Sequence, residues 1–518
     1  MRDAGRLLPV APLRSLGAYL DHGGGAGLVG ARHIGPAEII GEIGAAGLRG
    51  RGGAGFPAAV KWRSVADGGP GARYAVANGA EGEPGTFKDR ALMRANPYAV
   101  LEGLLIAAEA VGARHAFIAL KASFEPELTA IRRALSEMDE AGWLEGIEVT
   151  VVTGPEEYLF GEEKALLEVI EGNEPLPRWL PPYLHGLFAT APQLGWQAHD
   201  PDAADPGGHS ANPTLVNNAE TLAQCAWILA HGADAFRDEG TPASPGTILC
   251  TIVGDVTRPA VLEVPMGTPL RTVLDACGGP KPGRQVKAVF PGVANAVLGA
   301  ELLDTPLSYE AMEAVGSGLG AGGFVVYDDT ACMVEVAAML SRFLYVESCG
   351  QCPPCKLGTG DITAALDRIR TGTGHDADLG RIEERLRIVT DANRCYLPVQ
   401  ERIVVSSILR AFPDDVAAHL EGACPSPHAP IPTPKITDLA DGVVTYDPRQ
   451  DRKRPDWTCL LYTSVMRMRT NDTCRSTSEA TTANPAAPRN TGDASSSRPM
   501  PNPSTPTASS TRWVPTNA

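Results

Sequence analysis

The sequence predicts an α/β protein in three successive parts: a layered α/β part with a largely parallel sheet, a small β-rich module and a helical bundle. Three observations carry this. Between Tyr74 and Val152 strand-length apolar runs alternate with helical ones, the pattern of parallel strands joined by crossing helices. Over residues 246–330 short β-type runs crowd around a single helix. From Ala331 onward amphipathic helical runs follow one another.

A chain of 518 residues is too long for one core, since single cores stop growing at about 250–300 residues. The formal net charge of −16 excludes the basic footprint of a nucleic-acid binder. No apolar run approaches the roughly 20 residues that cross a bilayer, and the first residues lack a signal-peptide core. A cytoplasmic protein is expected, with membrane association only through partner subunits. The 11 cysteines are not spaced as a secreted disulfide framework; three crowd at Cys349, Cys352 and Cys355, which points to metal.

In chain order, residues 1–36 are rich in Gly and Ala and carry little signal, and a short helix is expected near Ala37–Ile43. A strand is expected at Tyr74–Asn78, a helix at Pro97–Ala110 and a strand at His115–Leu120. A helix at Leu128–Met138 and a strand at Ile147–Val152 follow. The segment NEPLPRWLPPY reads as extended, and NPTLVNN leads into a helix. TILCTIVGDV, VLEVPMG, TPLRTVLDACGG and VKAVFPG predict a ubiquitin-like β-grasp module with a packing role and no chemistry of its own. MVEVAAMLSRFLYVES, ITAALDRIR, RIEERLRIV and VQERIVVSSILRAF predict the bundle. Periodicity ends near Cys424; residues 475–518, dominated by Ser, Thr, Pro, Ala and Asn, offer too little apolar surface to fold and read as a disordered or foreign tail.

The densest chemistry lies in Gly47–Arg90. Gly50, Gly52, Gly53 and Gly55, around Arg51 and closed by Phe56-Pro57, let backbone N–H groups approach a flat or phosphorylated ligand. Arg51 and Lys61 bring positive charge, and Phe56 a stacking face. The formal G-x-G-x-x-G fails as a dinucleotide fingerprint, because a helical run precedes it and Phe-Pro follows. A ligand-free surface loop is the alternative. The strand Tyr74–Asn78 then enters an acidic loop with Glu81 and Glu83. Glu162 and Glu163 open a helix, as simple N-terminal acids or as ligand contacts. Asn217 and Asn218 either cap a helix or reach a ligand. Cys349-x-x-Cys352-x-x-Cys355 with distant Cys395 fits the four corners of a [4Fe–4S] cube better than zinc, whose sites favour two separated Cys-x-x-Cys pairs. Cys225, Cys250, Cys277 and Cys332 read as ordinary buried thiols.

GLRGRGGAGFP with KW, EGEPGTFKDR and ESCGQCPPCKLG together resemble the flavin-containing, NADH-oxidising subunit of respiratory complex I, a type that recurs as the diaphorase of NAD-linked hydrogenases and formate dehydrogenases. The likeness runs with gaps from about Gly47 to Gly422. It implies a Rossmann-like FMN- and NADH-binding domain (1–240), an SLBB-type β-grasp (245–330) and a helical cluster-binding domain (331–424), followed by an irregular segment (425–518). It implies FMN cradled by the glycine loop with Asn78, Glu81, Tyr158, Gly161, Glu162, Asn217, Asn218 and Thr221. NADH would stack over the flavin, with Phe56 against adenine and Glu83 and Glu163 near polar groups. No side chain need act as acid or base, because hydride passes directly between stacked rings. Electrons would leave through the [4Fe–4S] cluster to a thioredoxin-like [2Fe–2S] subunit and a larger iron–sulfur subunit. The parent assembly would be a respiratory NADH-quinone oxidoreductase, or a soluble formate dehydrogenase or hydrogenase; a non-catalytic scaffold that keeps the cluster is the remaining alternative. The chain departs from the family at Ala80 (usually Asp), at Lys164 (usually Thr), in the Tyr-Leu-Pro after Cys395, and in an insertion at about 193–211.

Overall fold

The structure, a computed structural model, describes residues 5–69, 71–191, 209–422, 424 and 431–455. The insertion up to residue 208 and everything from residue 456 lie outside the described residues.

Four parallel strands form the first sheet: β1 (Tyr74–Asn78), β2 (His115–Lys121), β3 (Glu148–Gly154) and β4 (Thr214–Asn218), in the order β3-β2-β1-β4. The chain thus adds β2 and β3 on one side of β1 and returns to add β4 on the other. Such a reversal leaves a crevice at the carboxyl ends of β1 and β4, where the strand order turns back, the usual ligand site of open α/β sheets. Asn78 and Asn218, paired in register, stand at that end. The helix Pro97–Val111 is buried almost all round, which matches its apolar composition on every face. It crosses the helix Ala219–His231 closely enough that a Cβ on Gly103 would sit 1.9 Å from the Leu222 carbonyl oxygen.

The amino-terminal segment, poor in sequence signal, holds two helices, Leu16–Asp21 and Ala26–Ile34. Their anchor is remote. Glu102, 1 % exposed, accepts hydrogen bonds from Tyr19 Oη (2.6 Å) and from the backbone N–H groups of Gly25 and Leu28 (2.8 Å each). The helix before the glycine loop runs Pro36–Ala46, so no strand precedes the loop. The expectation that Phe-Pro opens no helix is corrected: Pro57 is the N-cap of Ala58–Ala66, where its fixed φ and missing N–H cost nothing. NEPLPRWLPPY is not extended but folded around buried Arg178, which donates to Glu168, Glu171 and the Gly186 carbonyl.

The second sheet is mixed and five-stranded, ordered β6-β5-β9-β7-β8. It contains β5 (Thr247–Gly254), β6 (Ala260–Pro265), β7 (Val286–Phe290), β8 (Leu298–Gly299) and β9 (Gly323–Asp328), and packs on the helix Leu270–Ala276. This is the β-grasp arrangement. Five helices follow: Met333–Glu347, Pro353–Arg370, Asp376–Ile388, Leu397–Ala411 and Pro413–Leu420.

The expectation of an irregular segment from 425 fails for 431–455. Those residues form an antiparallel hairpin, β10 (Ile436–Ala440) with β11 (Val443–Tyr446), and strap the first sheet to the helices. A few apolar side chains and several polar contacts hold the segment: Ile436 is buried in the core, and Ile431, Leu439, Val444 and Tyr446 pack against it. Arg94 pairs with Asp438 (2.7 Å), Gly85 N–H donates to the Pro434 carbonyl (2.7 Å), and Lys453 straddles both oxygens of Glu347 (2.8 and 2.9 Å). Breaking a buried pair costs about 3–5 kcal/mol. Lys453 remains 30 % exposed against 1 % for Glu347, so Lys453→Met is expected to destabilise by about 2–3 kcal/mol. Denaturation of the single variant and of Lys453→Met/Glu347→Gln checks this; the double variant should regain most of the loss.

Candidate functional site

At the carboxyl ends of β1 and β4 lies a cleft of ≈ 790 Å³, solvent at its mouth included. Gly52, Asn78, Glu81, Glu83, Tyr158, Gly161, Glu162 and Asn218 line it, as do Ala80, Thr86, Asp89, Ala321, Tyr396, Leu397 and Gln400. Glycines shape two of its walls: a Cβ on Gly52 would stand 3.0 Å from Asn218 Cβ, and one on Gly161 would stand 3.0 Å from the Ala80 carbonyl oxygen.

Each wall is fixed from behind. Asn78 Nδ2 donates to the Gly161 carbonyl (2.8 Å), joining β1 to the turn before the helix Glu163–Ile170. Glu162 caps that helix, accepting from the N–H groups of Lys164 and Ala165 (3.0 Å each). Asn218 caps Ala219–His231 and donates to Asp89 (2.6 Å). Glu81 accepts from the first N–H groups of the helix Lys88–Ala95. Glu83 accepts from Tyr158 Oη on one oxygen and from Val293 N–H (2.7 Å) on the other, and Gln400 Nε2 donates to Tyr158 Oη (2.7 Å). Beneath them Lys88, wholly buried, contacts Asp89 (2.7 Å) and Glu220 (2.8 Å). Burial alone would lower the Lys88 pKa, but the carboxylates of Asp89, Glu220 and Glu81 outweigh it and keep the ammonium charged.

Several expected residues stand behind the cleft rather than in it. Arg51 is 1 % exposed, and its guanidinium donates to the Pro245 (3.0 Å), Thr247 (3.2 Å) and Arg49 (3.2 Å) carbonyls. It clamps the loop to the β-grasp module and offers the cleft no charge, which corrects that expectation. Thr221 accepts from Arg51 N–H (2.9 Å), and Asn217 accepts from Trp62 Nε1 (2.7 Å). Gly50 gives its carbonyl to Tyr309 Oη (2.8 Å). Gly55 holds φ +60° with the Tyr309 ring so near that a Cβ would meet it at 2.4 Å, so only glycine fits there. Gly53 likewise has a positive φ, beside Ala321. Phe56 is 53 % exposed with its ring available. Lys61 pairs with Glu163 at 2.6 Å, one residue beyond Glu162 of the lining. The β-grasp module, expected to do no more than pack, therefore supplies Val293 N–H, Ala321 and the Tyr309 brace.

Cys349, Cys352, Cys355 and Cys395 converge on one cavity of ≈ 290 Å³ with Leu159, Leu397 and Pro398. Four thiols in one pocket, which Ser348, Asn393 and Arg394 also line, form a donor set that fits an iron–sulfur cube. Cys424 is not among the residues of that cavity. Lys164 Nζ donates to the Arg394 carbonyl, so the residue that departs from the family pattern holds the loop of the fourth cysteine. Gln400 and Lys88 escape sequence reading. Lys88 sits inside EGEPGTFKDR without a motif role of its own, and Gln400 has no local signal.

Sequence models of the Nuo51 FMN-binding domain, the SLBB domain and the NADH-ubiquinone oxidoreductase-F iron–sulfur binding region match residues 43–227, 249–292 and 335–419. An F subunit of NADH-quinone oxidoreductase from Rhizobium meliloti (strain 1021) is 36 % identical over 399 residues, 74 % of this chain and 89 % of that protein. The chain belongs to the F-subunit family of NADH-quinone oxidoreductases. The F subunit of the Streptomyces coelicolor enzyme is 35 % identical over 79 % of this chain and 89 % of its own. The HndC subunit of the NADP-reducing hydrogenase of Solidesulfovibrio fructosivorans is 33 % identical over 80 % of this chain and 82 % of its own. A solved NAD⁺-reducing [NiFe]-hydrogenase in the H₂-reduced state superposes with TM-score 0.68 at 31 % identity, covering 82 % of this chain and 69 % of that one. Among the described residues of this family member no helix is long and apolar enough to cross a membrane.

Burial, then Asp89, pushes Glu81 from its ordinary 4.5 up to about 7. Burial likewise pushes Glu162 up to about 7, so near neutral pH each carboxyl can donate as well as accept. A carboxyl raised on folding stabilises below its unfolded pKa, and that contribution is lost as pH climbs through the folded value. The flavin-free protein should therefore lose stability from about pH 5 to pH 8, Glu81 accounting for roughly 2 kcal/mol. Glu81→Gln is expected to flatten the dependence of Tm on pH over that window; an unchanged slope would assign it elsewhere.

Proposed function

We propose that this chain is the electron-input subunit of a respiratory NADH-quinone oxidoreductase: it oxidises NADH at FMN in the cleft and passes single electrons to a [4Fe–4S] cluster on Cys349, Cys352, Cys355 and Cys395. The observation that carries this is a shared wall. Leu159, Cys395 and Leu397 line both the cleft and the four-cysteine cavity. Bound FMN supplies the exchange between the two-electron hydride of NADH and a one-electron acceptor.

The chain's own residues bind, orient and insulate. Gly52 and Gly161 leave room for a flat ring, while Asn78, Asn218, Glu81 and Glu162 present hydrogen-bonding groups held by their own partners. Leu159 and Leu397 keep water out of the wall between the two cavities. The exposed Phe56 ring stands ready for the adenine. Tyr396, 54 % exposed beside Cys395, marks the face where a thioredoxin-like [2Fe–2S] subunit and a larger iron–sulfur subunit would take up electrons. A second reading, the diaphorase of a soluble hydrogenase or formate dehydrogenase, rests on the likeness to the NAD⁺-reducing hydrogenase. Subunits that co-purify decide between the two.

Cys395→Ser is expected to lose or convert the cluster and to keep FMN, because the flavin cleft is built mainly on the first sheet. Iron and sulfide content, flavin absorbance and EPR after NADH addition test it. Iron at the wild-type level with an unchanged signal would exclude Cys395 as a ligand. Wild type with a cluster but no flavin would instead support a scaffold.

Glu163 is proposed to face the adenosine ribose, where its charge disfavours the extra phosphate of NADPH. Lys61 tempers that charge in the free protein. Glu163→Gln removes the carboxylate and releases Lys61 toward the phosphate. The ratio of kcat/KM for NADPH to that for NADH should rise on the order of tenfold, the equivalent of about 1.4 kcal/mol. An unchanged ratio with flavin still bound removes Glu163 from the nucleotide site.

A further inference from the structure

Outside the cleft and the cluster cavity, three metal-binding side chains meet. Cys332 Sγ, His419 Nε2 and Cys424 Sγ lie within 4.8 Å of one another. They come from two distant parts of the chain, the beginning of the helix Met333–Glu347 and the end of Pro413–Leu420 with the turn after it. From these positions we propose a second metal site, separate from the iron–sulfur cluster: a structural zinc ion bound by two thiolates and one imidazole.

The geometry already suits the ion. Zinc–sulfur and zinc–nitrogen bonds of about 2.3 and 2.05 Å at a tetrahedral angle place sulfur and nitrogen about 3.6 Å apart. Cys332 Sγ and His419 Nε2 stand 3.5 Å apart. Their surroundings orient them as metal ligands. His419 Nδ1 lies 2.7 Å from the Asp415 carbonyl, so the ring proton sits on Nδ1 and Nε2 turns its lone pair toward Cys332. The Asp415 carboxylate is tied in turn to Met333 N–H (3.1 Å) and Lys287 Nζ (2.7 Å), which fixes the turn that carries His419 against the turn that carries Cys332. Cys332 is the N-cap of its helix, and Glu335 N–H donates to its sulfur at 3.4 Å, a contact that favours a thiolate. Burial outweighs that contact in the metal-free protein and pushes the thiol up to about 11, so the ion itself displaces the proton.

Cys332 and His419 are 1 % and 3 % exposed, whereas Cys424 is exposed. The ion would sit at the edge of the helical domain with its fourth position toward solvent. Two thiolates balance a divalent cation, and binding releases two thiol protons to water. This set is soft enough to exclude magnesium and calcium. The helix Met333–Glu347 would then be held at its start by zinc, while the cluster cysteines begin just past its end, at Cys349. Its role is to pin the chain leaving the bundle, not to carry electrons.

The full-length protein, purified anaerobically without added metal or chelator, is assayed for zinc and iron by mass spectrometry. One zinc per chain is expected. Cys424→Ser and His419→Ala should each lose that zinc and keep wild-type iron, flavin and EPR signal, with a lower Tm that added Zn²⁺ restores in wild type stripped by chelator but not in the variants. Cys424→Ser needs no rearrangement of the core, so its metal content is interpretable even if His419→Ala folds poorly. Absence of zinc, loss of iron in place of zinc in Cys424→Ser, or a Cys332–Cys424 disulfide detected by thiol alkylation would each overturn the proposal.

Discussion

The fold turns on the buried ammonium of Lys88. Its ion pair with Glu220 has both side chains at 0 % exposure, and the other oxygen of Glu220 accepts Leu249 N–H of β5 at 2.9 Å. One carboxylate thus connects the helix after the acidic loop, the helix after β4 and the first strand of the β-grasp module. Removing either charge would strand the other in a dry interior, at about 3–5 kcal/mol. The cleft sits directly on this junction. Asp89, which lines it, is held by the same ammonium and by Asn218, so the floor of the site and the joint between the two sheets are one structure.

That junction explains why the β-grasp module is more than filler. Val293 N–H reaches Glu83, and Tyr309 closes on the glycine loop through a hydroxyl bond to the Gly50 carbonyl. Arg49 lies 4.0 Å over the Tyr309 ring, adding a cation–π contact. The loop has few side chains with which to hold itself, and its shape is imposed from outside by the module that follows in sequence.

Local chemistry was legible in the sequence wherever it determines local structure. The strands Tyr74–Asn78 and His115–Lys121, the cap at Asn218 and the acids opening Glu163–Ile170 follow from period and capping, and the structure has them. Cys349, Cys352 and Cys355 announced a shared cavity through spacing alone. What a long side chain faces could not be read, because remote partners decide it. Arg51 looked like a ligand's cation, yet its donors are taken by carbonyls at 245 and 247, far along the chain. Glu102 and the helices it anchors, Gln400 behind Tyr158, and Cys332 with His419 and Cys424 share that character. The hairpin of 431–455 was missed for a different reason: its apolar contacts, at Ile436, Leu439, Val444 and Tyr446, form too short a run to stand out, and ion pairs to remote partners supplement them.

The strap also imposes an order of events on the growing chain. Glu347 accepts Tyr158 N–H at 3.0 Å, next to Leu159 of the wall between the cleft and the cysteine cavity. Its cationic partner, Lys453, lies 106 residues later. During synthesis at about 5–20 residues per second, every cysteine of the cluster cavity emerges before the residue that neutralises this carboxylate. The wall is therefore completed from its far end, by some of the last described residues to leave the ribosome.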